Sequence, residues 1–368
     1  MTMTDGGSGG SNRSESLRAA VLYNPARVNF PKLKRVVDLV AEESGWRRSL
    51  WFPTERDAGA GDLVAAALAA GADLVIAAGG DGTVREVGAA MRGVDASFAV
   101  VPVGTANLYA RNVGIPLSDL ATAVRIAFTG HDHAVDVGLL DYRLADDRAG
   151  STPFLVMTGF GVDADMVAYT DPELKRRFGW VAYVGPIVRG LLKRDRPKVR
   201  SRINGGDEES SRLHSVFVGN CGTLTAGFQV LPDALIDDGV LDVLLVRSLD
   251  RTDGPRVTRW LHRFNNPVAR LRRDSPAAQT RTESNDSFRY VTATDVELHI
   301  SPEAVLQADG DEIGAAVWAR MRIDPGALRL RLPQHSRRAA GRQLGGSRVS
   351  GASGGTHPRH AAPPQSER

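Results

Sequence analysis

The residues best suited to chemistry are aspartates set beside glycines, and they recur in separate strings. The first is Gly79-Gly80-Asp81-Gly82-Thr83, directly after the apolar run Leu74 to Ala78 and before an amphipathic stretch starting at Val84. Glycines let such a turn adopt positive φ and let a ligand approach without a Cβ in the way. The free N–H groups of the following helix start favour an anion such as phosphate. Asp81 would repel that phosphate unless a cation lay between them, so the string points to a nucleotide phosphate handled with Mg²⁺. A glycine-rich turn with a surface aspartate is the plainer reading of the same residues.

A second turn, Gly104-Thr105-Ala106-Asn107, follows Pro102-Val103. Its Thr and Asn offer neutral hydrogen bonds, and two such turns at neighbouring strand ends can converge on one nucleotide. Asp237-Asp238-Gly239 is the third string: hard oxygen ligands for Mg²⁺ in one reading, a hairpin turn in the other. The fourth, Asp309-Gly310-Asp311-Glu312, gathers three carboxylates. Acids so close raise one another's pKa, which suits a general base, although a solvated acidic turn is the commoner outcome.

Strands alternating with helices must carry the first two strings. Ala20 to Tyr23, Ser49 to Phe52, Asp73 to Ala78 and Phe98 to Val101 read as strands. A helix with Leu33, Val36, Val37 and Val40 on one face closes near Gly45, and a second spans Leu63 to Ala70. That order predicts a doubly wound parallel sheet, whose ligands sit beyond the C-terminal strand ends. Asn24, Thr54 and both glycine turns lie at such ends.

Around Asp136 the pattern changes to mainly antiparallel β structure. Phe154–Met157, Ser215–Val218, Leu241–Val246, Arg289–Ile300 and Val305–Ala308 have strand character, with a helical region near Pro172 to Leu192 and a polar loop from Asp274 to Asp286. The expected division is a disordered leader (1–16), an α/β nucleotide-binding domain (17–143, with 316–332 returning to it as helix or strand), a mainly antiparallel β domain (144–315) and a disordered basic tail (333–368).

Composition bounds the class. Of 368 residues, 42% are hydrophobic and 24% charged, as in a soluble globular protein. A net charge of +3 gives no global attraction to nucleic acid, so no nucleic-acid partner is expected. Cys221 stands alone, which excludes an internal disulfide framework or a cysteine zinc cluster. No signal peptide or membrane span is legible, so a cytoplasmic protein is expected.

The strings in this order resemble the diacylglycerol kinase catalytic-domain family, specifically the bacterial lipid kinases related to diacylglycerol, ceramide and sphingosine kinases. The resemblance covers roughly residues 18 to 332. It rests on NP at Asn24, GGDGTVREV from Gly79, PVGTANLYARNVGIP from Pro102, VDVG from Val135, GFGVDADMV from Gly159, KRRFGWVAYV from Lys175, PDALIDDGVLDV from Pro232 and QADGDEIG from Gln307. It implies an α/β nucleotide-binding domain, an inserted β-sandwich lipid-substrate domain over 144–315 and a C-terminal segment that returns to the first domain. It further implies an ATP- and Mg²⁺-dependent kinase of phospholipid metabolism, acting on the hydroxyl of a diacylglycerol-like lipid. Asp81 would act at the phosphates with Mg²⁺. Gly79, Gly80, Gly82, Thr83, Gly104, Thr105 and Asn107 would shape the nucleotide site, with Asn24 and Thr54 as weaker candidates. Asp237 and Asp238 fall where the family holds a structural metal, Asp311 where it places a carboxylate near the lipid hydroxyl, and Lys175 where it has a lysine near the cleft.

One departure is plain. Many members have an acid where this chain has Leu108, followed by Tyr109. That loss leaves a non-catalytic nucleotide or lipid sensor as an alternative, beside a kinase of a sphingoid or ceramide-type lipid or of NAD. A lipid kinase must also meet a bilayer. Arg256 to Arg273 carries six arginines and no acid, interleaved with Trp260, Leu261 and Phe264. This suits a peripheral contact with the anionic inner face of the membrane, although a helix packed on the β domain reads equally well. Lys193 to Arg202 could add to the basic face. A homodimer stays open.

Overall fold

The structure is a computed structural model that describes residues 17–54, 59–161, 196–224, 229–247 and 288–333. Strands β1 (Ala19–Tyr23), β2 (Leu50–Pro53), β3 (Leu74–Gly79) and β4 (Ser97–Pro102) form a parallel sheet in the order β2-β1-β3-β4. Helices α1 (Phe30–Glu43), α2 (Ala60–Ala69), α3 (Asp81–Ala90), α4 (Leu108–Asn112) and α5 (Leu120–Thr129) accompany it.

Every residue of β3 is buried, because helices cover both faces of its sheet. Alternation sorts its side chains. Leu74 and Ile76 pack with Leu33, Val37 and Val40 of α1 and with Val124 and Phe128 of α5. Val75 and Ala77 belong to the core that holds Val64 of α2 and Val84 and Val87 of α3. The Asn29 side chain starts α1 by accepting from the Lys32 N–H at 3.1 Å, and Asp119 starts α5 by accepting from Thr122 at 3.0 Å.

The second half is antiparallel. It comprises β5 (His131–Leu144), β6 (Ala149–Phe154), β7 (Met157–Phe160), β8 (Lys198–Ile203), β9 (Glu209–Arg212), β10 (Ser215–Gly219), β11 (Leu241–Val246), β12 (Phe288–Ala293), β13 (Asp295–Ala308) and β14 (Asp311–Leu332). Its own core includes Leu140, Phe154, Leu241, Leu298, Leu306 and Met321. The long β14 joins the halves: it pairs antiparallel with β13 and β5, and its end runs parallel to β4, Leu330 opposite Phe98.

Some expectations are corrected in detail. Phe154–Met157 is not one strand: β6 ends at Phe154 and β7 begins at Met157, because the N–H groups between them bond to a side chain instead of a strand. Arg289–Ile300 is likewise two strands meeting at Thr294. The returning segment is strand. The expected boundary at 143/144 falls at the end of β5 and the expected return at 316 inside β14. The leader, the region 172–192, the loop 274–286, the segment Arg256–Arg273 and the tail beyond 333 lie outside the described residues. Among the described residues, no helix is long and apolar enough to cross a membrane.

Candidate active site

Four strand ends converge at one edge of the parallel sheet. After β3, Gly79 closes the strand, Gly80 caps α3, and Asp81, Gly82 and Thr83 form its first turn. After β4, Gly104, Thr105 and Asn107 lead into α4. The two turns touch. A Cβ on Gly104 would fall 2.5 Å from the Gly80 Cα, and one on Gly79 would fall 2.4 Å from the Thr83 Cβ. Glycine is therefore required at 104, where bare backbone meets bare backbone, and at 79, where the strand passes the Thr83 side chain.

Asn107 fixes the second turn. Its backbone is left-handed at φ 46°, its Oδ1 accepts from the Gly104 N–H at 3.0 Å, and its Nδ2 donates to the Gly104 carbonyl at 2.7 Å. The side chain is thus committed to the turn's shape. Asn24, at the end of β1, donates its N–H to the Ala78 carbonyl at 3.3 Å and accepts from Ala26 on Oδ1 at 3.0 Å. Thr54 bonds the Tyr23 carbonyl through its N–H at 2.8 Å and through its hydroxyl at 3.3 Å.

Asp81 ties the turns together electrostatically. Its Oδ1 accepts from the Leu108 N–H at 2.5 Å. Burial raises its carboxyl above the ordinary value, while the N–H groups of Leu108, Tyr109 and Asn107 hold the rise back. No ion pair involves it among the described residues. Leu108, in the place of the family acid, buries its side chain in the core and offers only this N–H.

The distant acidic string arrives at the same place. Asp309 and Gly310, at φ 51° and 92°, form a two-residue hairpin loop between the paired Ala308 and Asp311. Asp311 Oδ2 lies 2.8 Å from the Arg85 guanidinium, and a Cβ on Gly82 would stand 3.8 Å from that oxygen. Arg85 also donates to the Ala308 carbonyl at 2.8 Å. A residue of the first glycine string thereby grips the hairpin that carries Asp311.

The three acids of that hairpin do not act as one group, contrary to expectation. Asp309 turns inward and is buried. It accepts from the N–H groups of Leu155 at 2.8 Å, Val156 at 2.8 Å and Met157 at 3.0 Å, and donates its own N–H to the Met157 carbonyl at 2.9 Å. Its carboxyl is pushed up to about 6 by burial, against those three N–H groups and Arg85; the neighbouring acids are not the cause.

Asp237 and Asp238 lie in the loop before β11. Asp136 of β5 organises it, accepting from the Gly239 N–H at 2.7 Å and from the Gly326 N–H at 2.8 Å. Burial, then the neighbouring Asp136 and Asp237, raise the Asp238 carboxyl to about 6. Such crowded negative charge suits a cation. Yet among the described residues no three His, Cys, Asp or Glu side chains are grouped to hold one. Lys175 lies outside the described residues. Sequence reasoning missed Arg85 and Asp136, and it read Asp309 as one of three clustered acids, not as the buried carboxylate that accepts from three N–H groups. The signal for Asp136 was a charged residue set between valines in a strand, Val135-Asp136-Val137.

The model of the diacylglycerol kinase catalytic domain matches residues 18–140, and that of the YegS C-terminal NAD kinase beta sandwich-like domain matches residues 156–264. A Pseudomonas putida protein named "Probable lipid kinase YegS-like" is 31% identical over 324 residues, 86% of this chain and 95% of that protein. The chain belongs to the diacylglycerol kinase catalytic-domain family. A protein of the same name from Klebsiella pneumoniae is 29% identical over 85% of this chain and 95% of its own length. A crystal structure of a diacylglycerol kinase from Bacillus anthracis strain Sterne matches with a TM-score of 0.63 at 19% identity, covering 88% of this chain and 99% of that one. It supports the shared fold: a catalytic α/β domain followed by a β-sandwich in a mixed sheet.

The site's own geometry accommodates what such a kinase would hold. The Gly80 and Gly104 turns meet without side chains and are only half-buried, so a nucleotide's phosphates would find no Cβ in their way there. Asp81, partly buried and without an ion-pair partner among the described residues, is a carboxylate that a divalent cation would complement.

Proposed function

We propose that this chain is an ATP- and Mg²⁺-dependent lipid kinase that phosphorylates the hydroxyl of a diacylglycerol-like lipid, giving a phosphatidic-acid-type product. The observation that carries the reading is the approach of Asp311 to Gly82, which sets a carboxylate from the β domain against the glycine turn of the nucleotide domain. Phosphoryl transfer needs positioning and charge neutralisation more than covalent chemistry, which suits a site of bare turns, aspartates and an arginine.

The backbone of the Gly79–Thr83 and Gly104–Asn107 turns would hold the nucleotide's phosphates, with Asp81 holding the cation. The cation, when bound, neutralises charge on the phosphates. Arg85 orients Asp311. Asp311 takes the proton of the lipid hydroxyl as its oxygen bonds to the γ-phosphorus and the bond to the bridging oxygen of the leaving ADP breaks. Contact with the inner membrane face through Arg256–Arg273 belongs to the same proposal.

The test is a panel of diacylglycerol, ceramide, sphingoid base and NAD with labelled ATP. Label transferred to diacylglycerol supports the reading. Label on another acceptor reassigns the substrate. ATP binding without transfer to any acceptor favours a sensor, with the apolar Leu108 as its cause.

A further inference from the structure

On the outward face of the β domain, one cross-strand row contains Arg200, His299, Trp318 and Arg143, each the direct partner of the next across β8, β13, β14 and β5. Directly paired residues project on the same side of a sheet. The inward side is occupied by the buried Val199, Leu298 and Ala319. With Lys198, Ser301 and Val317 the row lines an open hollow of about 580 Å³.

The charge of this row is unlike that of its neighbour. Two residues along, the corresponding row is Arg202, Glu297, Arg320 and Asp141. There cations and carboxylates alternate and cancel, and Arg202 pairs with Glu297 at 3.5 Å. The hollow's row has an arginine at each end and no carboxylate. Glu208 reaches Arg200 at 3.3 Å from one side. Glu297 accepts from the Trp318 indole N–H at 3.0 Å and lies 3.6 Å from His299 Nε2. Arg143 and Lys198 are exposed and have no ion pair among the described residues.

The row is also bounded. Beyond Arg200 its partner is Ser210, and beyond Arg143 it is Ala149. Three strand spacings separate the two arginines, ~14 Å, which is a compact patch and not a track for a polynucleotide. Its floor is amphipathic, with Trp318 and Val317, and the exposed Val305 stands on the same strand as His299. A fork of guanidinium and ammonium groups beside an indole suits phosphate at an apolar boundary.

We propose that this hollow is a docking site for the phosphate headgroups of an anionic phospholipid bilayer, formed by residues other than those of the catalytic turns. It rests on the sheet's own charge pattern and does not require kinase turnover.

The test uses the full chain with vesicles of phosphatidylcholine alone and with phosphatidylglycerol added. Binding is expected only to the second, weakening as salt screens it. The variant Arg143→Gln/Lys198→Gln/Arg200→Gln should bind at least about tenfold more weakly. The control Arg202→Gln/Arg320→Gln/Arg322→Gln, which loses the same formal charge from paired positions, should change binding less than about threefold. If the first variant fails to fold, Lys198→Gln alone should still weaken binding about fivefold. Turnover of a detergent-dispersed lipid by the triple variant should match that of the parent chain, which separates this proposal from the kinase reading. Absence of binding to phosphatidylglycerol vesicles, or equal losses in the two triple variants, overturns it. So does displacement from vesicles by inorganic phosphate or by an oligonucleotide at constant ionic strength, where chloride leaves binding intact, which would assign the hollow to a soluble anion or to nucleic acid.

Discussion

Asp81 and Asp311 stand beside the same turn but differ in what holds them. Asp81 is fixed by a backbone N–H and has no cationic partner among the described residues, whereas Asp311 is held by Arg85 and is largely open to solvent. Asp81→Asn keeps an oxygen to accept from Leu108, so the melting temperature should barely move. Loss of the negative charge should abolish turnover; a variant with near-normal kcat would remove Asp81 from the mechanism. Asp311→Asn should lower kcat by ~10²–10⁴, the usual contribution of a general base, with ATP affinity unchanged. Glu312 follows on an extended strand and projects to the other side, so Glu312→Gln should cost less than about tenfold. Single-lipid assays of both variants at saturating ATP decide between the two acids. The glycine turns and Asp311 were legible because each string is local. Arg85 was not, because its role depends on a hairpin more than two hundred residues away.

At the scale of elements, the Asp309-Gly310 hairpin is the piece that positions the site. A two-residue Asp-Gly loop is a strong local signal, and its turn was readable. Its second function was hidden in the sequence. Asp309 also replaces the missing ladder between β6 and β7 by accepting from three consecutive N–H groups. That arrangement divided a segment whose composition reads as one continuous strand. In Asp309→Asn the amide keeps one acceptor oxygen and sets an NH₂ against a donor. The expected loss is ~1–3 kcal/mol, seen as a lower denaturant midpoint at unchanged m-value. Because the hairpin carries Asp311, kcat should fall with it while ATP affinity, set by the other turns, should hold. A variant that is destabilised but keeps full kcat would show that Asp311 finds its place without this latch.

Across the whole molecule, the halves are joined through β14 and its bend at Asp324–Leu328, where Asp136 holds Gly326 on one oxygen and Gly239 on the other. That join was expected from the returning C-terminal segment. The buried acids along it were not, since burial is a property of the assembled sheet. Their consequence is an unusual pH dependence. Asp242 is buried in β11, receives the Tyr290 hydroxyl, and has its carboxyl raised to about 7, chiefly by burial. Asp238 and Asp309 are raised to about 6. Each sits near 3.9 in the unfolded chain, so between about pH 4 and pH 7 the native state binds more protons than the unfolded state. Stability must then fall as pH rises through that window and level off above it, the reverse of acid denaturation. The lowered carboxyls of Asp119, Asp141 and Asp146 oppose this, but Asp119 and Asp146 are exposed and contribute little, and the half-buried Asp141 stands alone against three raised buried acids. Thermal melts should therefore give a higher Tm near pH 5 than near pH 8. Asp242→Asn still accepts from Tyr290 and removes the buried charge. It should be more stable than the parent near pH 8, by on the order of 2 kcal/mol, and should show a flatter pH profile. A parent chain whose Tm rises from pH 5 to pH 8, or an Asp242→Asn profile as steep as the parent's, would mean that Asp242 is charged and compensated in the native state.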